Sequence, residues 1–149
     1  MKFRFISYGI KYYEAAGEIA PEHDFLFNLR DLSNPFWIPE LKGMHGLEAK
    51  IQDFFAKDVS IQLRLEKISD LVNDFIEDAL KNSYRSDVES ITFAFRCTGG
   101  KHRSVYFAQS VFEKMQKMFE NRDINHETGK KIAFEVEHVD LPRYLEVKS

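Results

Sequence analysis

A single cysteine, Cys97, stands in a chain of 149 residues, so no internal disulfide can form. An unpaired thiol suits a reducing compartment, and the cytoplasm is the expected location. No stretch approaches the run of about eighteen apolar residues that a bilayer-spanning helix needs, so no membrane role is expected. Arg4 and Ser7 interrupt the N-terminal apolar segment, which argues against a secretory signal and for a first strand. The histidines His23, His45, His102, His126 and His138 lack the short spacings of a metal site, and one thiol is all that could join them. Neither a metal nor another cofactor is expected. Internal repeats, low-complexity tracts and linkers are missing too. A net charge of −3 excludes a uniformly cationic nucleic-acid binder.

What is present is enough apolar material, 44% of the residues, for one domain over residues 1–149 with its own core. The segments Phe3 to Tyr8, Phe25 to Leu29, Ile91 to Phe95 and Ile132 to Val136 are short and rich in branched and aromatic residues, which suits strands covered on both faces. Between Val59 and Leu80, the apolar residues Ile61, Leu65, Ile68, Val72, Phe75 and Ala79 trace one stripe of a long helix. A second helix should start near Arg103 and bury Ala108, Val111, Phe112, Met115, Met118 and Phe119. Strands joined by long crossovers predict an α/β fold, a three-layer sandwich around a small, mainly parallel sheet. The stretch from Ser33 to Gly46 reads as an ordered irregular loop carrying Trp37.

In such sheets ligands bind beyond the carboxyl ends of the strands. The residues there are polar or glycine: Gly9 and Lys11, then Arg30, Asp31, Asn34 and Pro35, then a glycine loop, then His138 and Asp140. Charge is also uneven along the chain. From Glu66 to Glu89 seven acids oppose three bases, a net of −4, as on a solvated helix face; from Arg96 to Lys131 eight bases oppose four acids, a net of +4.

The basic segment holds Cys97, Thr98, Gly99, Gly100, Lys101, His102, Arg103 and Ser104, a glycine turn between a strand and a helix start. The glycines allow backbone forms in which amides form an anion-binding concavity, and the helix N-terminus adds free N–H groups and partial positive charge. Lys101 and Arg103 add full charges, and Thr98 and Ser104 add hydroxyls. The loop therefore predicts binding of a phosphorylated small molecule, or of a phosphate or sulfate anion. Ser7, Lys11, Arg30 and Asn34 complete the candidate ligand-binding set. His102 reads equally as a donor to the ligand or as a solvent-facing loop histidine. Asp31 reads as an acceptor for a sugar hydroxyl or as a turn cap. The Cys-x5-Arg-Ser spacing also resembles the loop of cysteine-dependent phosphatases, with Cys97 as nucleophile and Arg103 binding phosphate. Against this, Arg96 stands where those enzymes have His, and Asp31 and Asp140 are the available acids. Otherwise Cys97 is a small residue packed where strand meets loop.

These motifs together resemble the C-terminal domain of RapZ, the RNase adapter protein, and relatives formerly described as nucleotide-binding proteins. Residues 97–105 match that family without a change. Ser7-Tyr-Gly-Ile-Lys-Tyr12 is similar to its Ser-Phe-Gly-Phe-Lys-Tyr segment, and Phe27-Asn-Leu-Arg-Asp-Leu-Ser-Asn-Pro35 to Phe-Asp-Val-Arg-Phe-Leu-Pro-Asn-Pro, with agreement through Trp37, Pro39, Leu41, Gly46 and Leu47. The resemblance implies a regulatory domain that senses glucosamine-6-phosphate, binds small regulatory RNA and presents it to an endoribonuclease. A homo-oligomer and a separate nucleotide-binding or nuclease protein are the further partners it implies. No Gly-x4-Gly-Lys-Ser/Thr segment occurs, so ATP binding is not carried over. Asn28 and Ser33 depart from the family, and its basic tail is reduced to residues 142–149. For RNA, Arg96, Lys101, Arg103, Lys114, Lys117, Arg122, Lys130 and Lys131 supply cations, and Tyr12, Tyr13, Phe36 and Trp37 are candidate stacking residues.

Overall fold

Alternating phenylalanines organise the sheet. The computed structural model describes residues 1–14, 17–82, 87–120 and 131–145; His126, Arg122 and Lys130 lie outside them. Four strands, β1 (Lys2–Gly9), β2 (Phe25–Asn28), β3 (Ser90–Cys97) and β4 (Ala133–His138), form one sheet in the order β2-β3-β1-β4. Every pairing is parallel. The register sets Phe25 opposite Phe93 and Phe93 opposite Phe5, so their rings stack in a row at centroid distances of 5.3 and 5.4 Å. Phe27 and Phe95 make the next row at 5.3 Å. Such aromatic cross-strand pairs stabilise a sheet beyond the area they bury.

These rings face a layer of helices: α1 (Pro39–Lys42), α2 (Ala49–Ala56), α3 (Val59–Asn82) and α4 (Arg103–Met118), with a short α5 (Pro142–Leu145) at the far end of the chain. The core is closed by α4 through Val105, Ala108, Val111 and Met115, and by α3 through Ile61, Ile68, Val72, Ile76 and Leu80. The expected α3 stripe is correct through Val72, after which Ile76 and Leu80 take the fully buried positions from Phe75 and Ala79. From Ile68 onward the buried row runs in steps of four, which slowly rotates the inner face of a helix with 3.6 residues per turn. Met118, expected inside, is half exposed because it lies past the edge of the face that Met115 and Phe119 bury.

The expected α/β sandwich is present, and its third layer is thin. On the face away from the helices, Ile6, Tyr8 and Ala94 are covered by Tyr12, Tyr13, Ala20 and Val139 rather than by a long helix. Toward the N-terminal end of β1, that face carries Arg4, bonded to Glu135 at 2.6 Å. The edge strand β2 alternates partly buried and exposed residues, unlike the central β3. In the Ser33 to Gly46 stretch, Asn34 caps a 3-10 turn at Pro35–Trp37 by accepting from the Phe36 amide.

The last strand is tied in by a partly buried polar chain. His138 sits between the Ser7 hydroxyl, 2.7 Å from Nδ1, and the Gln109 carboxamide oxygen, 2.9 Å from Nε2, linking β4 to β1 and α4. Burial pushes its pKa down to about 4, with a smaller push from His45. Burial likewise lowers His102 to about 4, against the stabilising bond to the Met44 carbonyl. Because the folded pKa lies below the unfolded value of about 6.5, the unfolded chain takes the protons first as pH falls. Stability from the two neutral rings is complete above about pH 6.5 and is lost as pH falls through about 4, by up to about 3 kcal/mol per ring. Urea unfolding at about pH 7 and about pH 4.5 should show this loss, and His138→Gln should reduce the slope by roughly half. An identical slope in that variant would refute the assignment to His138.

Candidate functional site

Two backbones cross at the carboxyl edge of the sheet. Gly9 ends β1 opposite Cys97, which ends β3. A Cβ on Gly9 would lie 2.5 Å from the Gly99 carbonyl carbon, and one on Gly100 would lie 2.6 Å from the Gly9 nitrogen. Gly100 also has φ of 68°, a left-handed conformation that L side chains rarely adopt. The crossing is therefore closed to any side chain. A third approach comes from Gly46, whose amide donates to the Lys101 carbonyl at 2.8 Å.

The polar groups of the loop divide by kind. The carbonyls of Thr98, Gly99, Lys101 and His102 accept from the Lys11 amide, the Tyr144 hydroxyl, the Gly46 amide and the Tyr106 amide. Among the described residues, none of the backbone amides of residues 98–104 has a hydrogen-bond partner. A run of free amides at the start of a helix of 16 residues is a concentration of donors and partial positive charge.

Above the loop lies a cleft of 540 Å³. Nine of the candidate residues line it: Lys11, Arg30, Asn34, Cys97, Thr98, Gly99, Lys101, His102 and Arg103. Ser7, Gly100 and Ser104 do not. Ser7 is buried in the bond to His138, Gly100 lies against Gly9, and the Ser104 hydroxyl accepts from the Cys97 thiol at 3.2 Å. Leu32, Phe36, Trp37 and Tyr144 complete the wall. Sequence reading missed Tyr144 as a site residue; an aromatic shortly after the last strand is the signal it offered.

Several side chains already have work. Arg103 is 4% exposed and its Nη1 donates to the carbonyls of Leu29, Arg30 and Leu32 at 3.4, 2.7 and 3.0 Å, which fastens the loop after β2. Its Nε is buried without a partner. Lys101 donates from Nζ to the Lys42 carbonyl at 2.8 Å, and burial lowers its pKa, with Glu48 opposing and Lys11 and Lys42 adding to the fall. His102 is turned away from solvent onto the Met44 carbonyl, so it pins the 44–46 segment to the loop. Asp31 accepts from Nη1 and Nη2 of Arg64, at 3.1 and 2.6 Å, and that pairing keeps its carboxyl below the usual range. Asp140 is fully buried and accepts from the Gly9 amide, the Tyr13 hydroxyl and Arg143 Nε at 2.7, 2.9 and 2.8 Å. Among the described residues no group of three or more His, Cys, Asp or Glu side chains is placed to hold a metal, and no helix is long and apolar enough to cross a membrane.

Comparison with known proteins places these features. The nucleotide-binding protein of Petrotoga mobilis is 37% identical over 126 residues, covering 85% of this chain and 41% of its own length. That of Pasteurella multocida is 34% identical over 128 residues, covering 86% and 41%. A nucleotide-binding protein of Xanthomonas euvesicatoria is 42% identical over 93 residues, covering 62% and 32%. The chain spans about two fifths of the length of the first two. The family described as the RapZ C-terminal domain matches residues 1–130. With that match extending from the first strand past α4, this chain belongs to the RapZ C-terminal domain family.

Proposed function

We propose that this domain binds a phosphorylated small molecule, a phosphosugar such as glucosamine-6-phosphate, in the cleft over residues 97–104, and acts as a regulatory sensor. The observation that carries the reading is the division of the loop: its carbonyls are engaged and its consecutive amides are free. Free amides beside Lys11, Arg30, Lys101 and a buried, partly unpartnered Arg103 form a site for an oxyanion. Membership of the RapZ C-terminal domain family supports the same reading. The chain's single tryptophan, Trp37, is 78% exposed at the wall of the cleft, placed to meet the ring of a sugar that carries the phosphate.

Sensing is favoured over phosphatase chemistry by the surroundings of Cys97. Arg96 precedes it where those phosphatases carry His, and its thiol is buried. A phosphatase also needs an acid for the leaving group. Asp140 is fully buried under three donors, and Asp31 is paired with α3.

A second reading, contact with structured RNA, draws on the exposed Phe36–Trp37 pair, with rings 5.2 Å apart and Lys42 Nζ 4.5 Å from the Phe36 centroid. Aromatic faces beside cations suit unpaired bases. RNA held this way should be released steeply by salt. Gel shifts with a structured RNA at low salt should show a complex that Trp37→Ala weakens, and no complex at low salt would remove this reading.

For the ligand, glucosamine-6-phosphate and inorganic phosphate should each raise the melting temperature, and glucosamine-6-phosphate should also change Trp37 fluorescence. Lys101→Ala should weaken binding about tenfold, or roughly 1.4 kcal/mol. Arg103→Lys, which keeps one charge but loses the fork, should weaken it further. Undiminished affinity in both variants by calorimetry would place the site elsewhere. Cys97→Ser should keep affinity within about tenfold, and the wild type should release no phosphate from aryl phosphates. Cys97-dependent turnover would replace the sensor with an enzyme.

A further inference from the structure

The RapZ C-terminal domain match ends at residue 130, yet one side chain beyond it reaches back to the glycine loop. Tyr144, on α5, lines the cleft and donates its hydroxyl to the Gly99 carbonyl at 2.6 Å. A Cβ on Gly99 would stand 3.0 Å from that oxygen and would press the hydroxyl back by a few tenths of an ångström. The Tyr144 hydroxyl in turn accepts from Tyr12 at 2.6 Å. Burial, reinforced by this bond, pushes the Tyr144 phenol well above its ordinary range, which keeps it a donor.

The ring matters as much as the hydroxyl. Lys101 Nζ lies 5.0 Å and Lys11 Nζ 5.8 Å from the Tyr144 centroid, within cation–π range. One aromatic ring therefore lies within reach of two ammonium groups, one from the turn after β1 and one from the glycine loop. Their shared ring offsets part of a repulsion that two like charges would otherwise relieve by swinging into solvent. The strap that carries Tyr144 is itself anchored. Arg143 stacks on Tyr12 at 4.1 Å from its centroid and bonds to Asp140, which holds the Gly9 amide.

We propose that Tyr144 is a positioning residue of the phosphate site: its ring assembles Lys11 and Lys101 into a paired charge, and its hydroxyl holds the Gly99 carbonyl away from the bound anion. The site then selects a terminal phosphate with two negative charges over a singly charged phosphodiester, because one anion must neutralise two ammonium groups. This rests on the phosphate-binding reading above and adds the element that sets ligand charge.

Two measurements test it. In ligand-free protein, ring current should shift the ε-CH2 resonances of Lys11 and Lys101 upfield, assigned through Lys11→Arg and Lys101→Arg; Tyr144→Phe should keep the shifts, and Tyr144→Leu should abolish that of Lys101 and reduce that of Lys11, whose Nζ also lies 5.1 Å from the Tyr12 centroid. In calorimetry, wild type should prefer inorganic phosphate to dimethyl phosphate by at least about tenfold. Tyr144→Leu should lose about tenfold in phosphate affinity and most of that preference, with Tyr144→Phe closer to wild type than to Tyr144→Leu. Combining Tyr144→Leu with Lys101→Ala should cost less than the sum of the two, since both remove one charge placement. Wild type that binds no phosphorylated probe would overturn the phosphate site and this assignment with it. Wild type that binds while Tyr144→Leu keeps both affinity and preference, or unshifted lysine resonances, would overturn the role of Tyr144 alone.

Discussion

Backbone contact between Gly9 and the Gly99–Gly100 pair is the constraint on which the rest of the site depends. Parallel pairing brings the ends of β1 and β3 side by side, and a Cβ at Gly9 or Gly100 would meet backbone at 2.5 or 2.6 Å. With the chains in contact, the loop carbonyls meet neighbouring donors such as the Lys11 amide, while the amides of residues 98–104 have no partner among the described residues. A side chain at the crossing would separate the strands' ends and disperse the donors. The same crossing brings Lys11 and Lys101 within about 6 Å of one tyrosine ring.

Charge burial is handled differently at the two ends of this arrangement. Asp140, fully buried, is compensated by an amide, a phenol and a guanidinium, so it acts as a fastener for the chain after β4. Tyr13, pushed up to about 12 chiefly by burial and then by the bond to Asp140, stays protonated as part of that fastening. Arg103 is only partly compensated: Nη1 carries three carbonyls, while Nε is buried without a partner. An uncompensated donor on a buried cation costs free energy unless an anion supplies the missing acceptor. Arg103 thus organises the loop after β2 while lining the cleft, so its substitution touches both shape and charge.

The family match covers the stretch up to residue 130, which contains the glycine loop, Lys11, Arg30 and Asn34. The cleft in this chain is nevertheless finished by Tyr144, outside that stretch. A wall of Phe36, Trp37 and Tyr144 beside Lys11, Arg30 and Lys101 combines apolar ring faces with cationic groups in one cleft.

Much of this was legible in the residues. The four strands, the long helix and the start of α4 at Arg103 followed from β-branched and aromatic runs, a helical stripe and a glycine turn, all of them local signals. Glycine spacing and cation density marked residues 97–104, because backbone permissiveness and charge are properties of the residues themselves. What each polar group does there depended on partners far along the chain. Asp31 goes to Arg64, Ser7 to His138, His102 to Met44 and Asp140 to Gly9. No periodicity encodes such pairings; they arise from the parallel register and from α3 and α4 lying across the sheet. Sequence alone therefore determined the fold class and the position of the loop, whereas tertiary structure decided which side chains remain free to face a ligand, since hydrogen-bond capacity is consumed by whichever neighbour the fold brings within 3 Å or so.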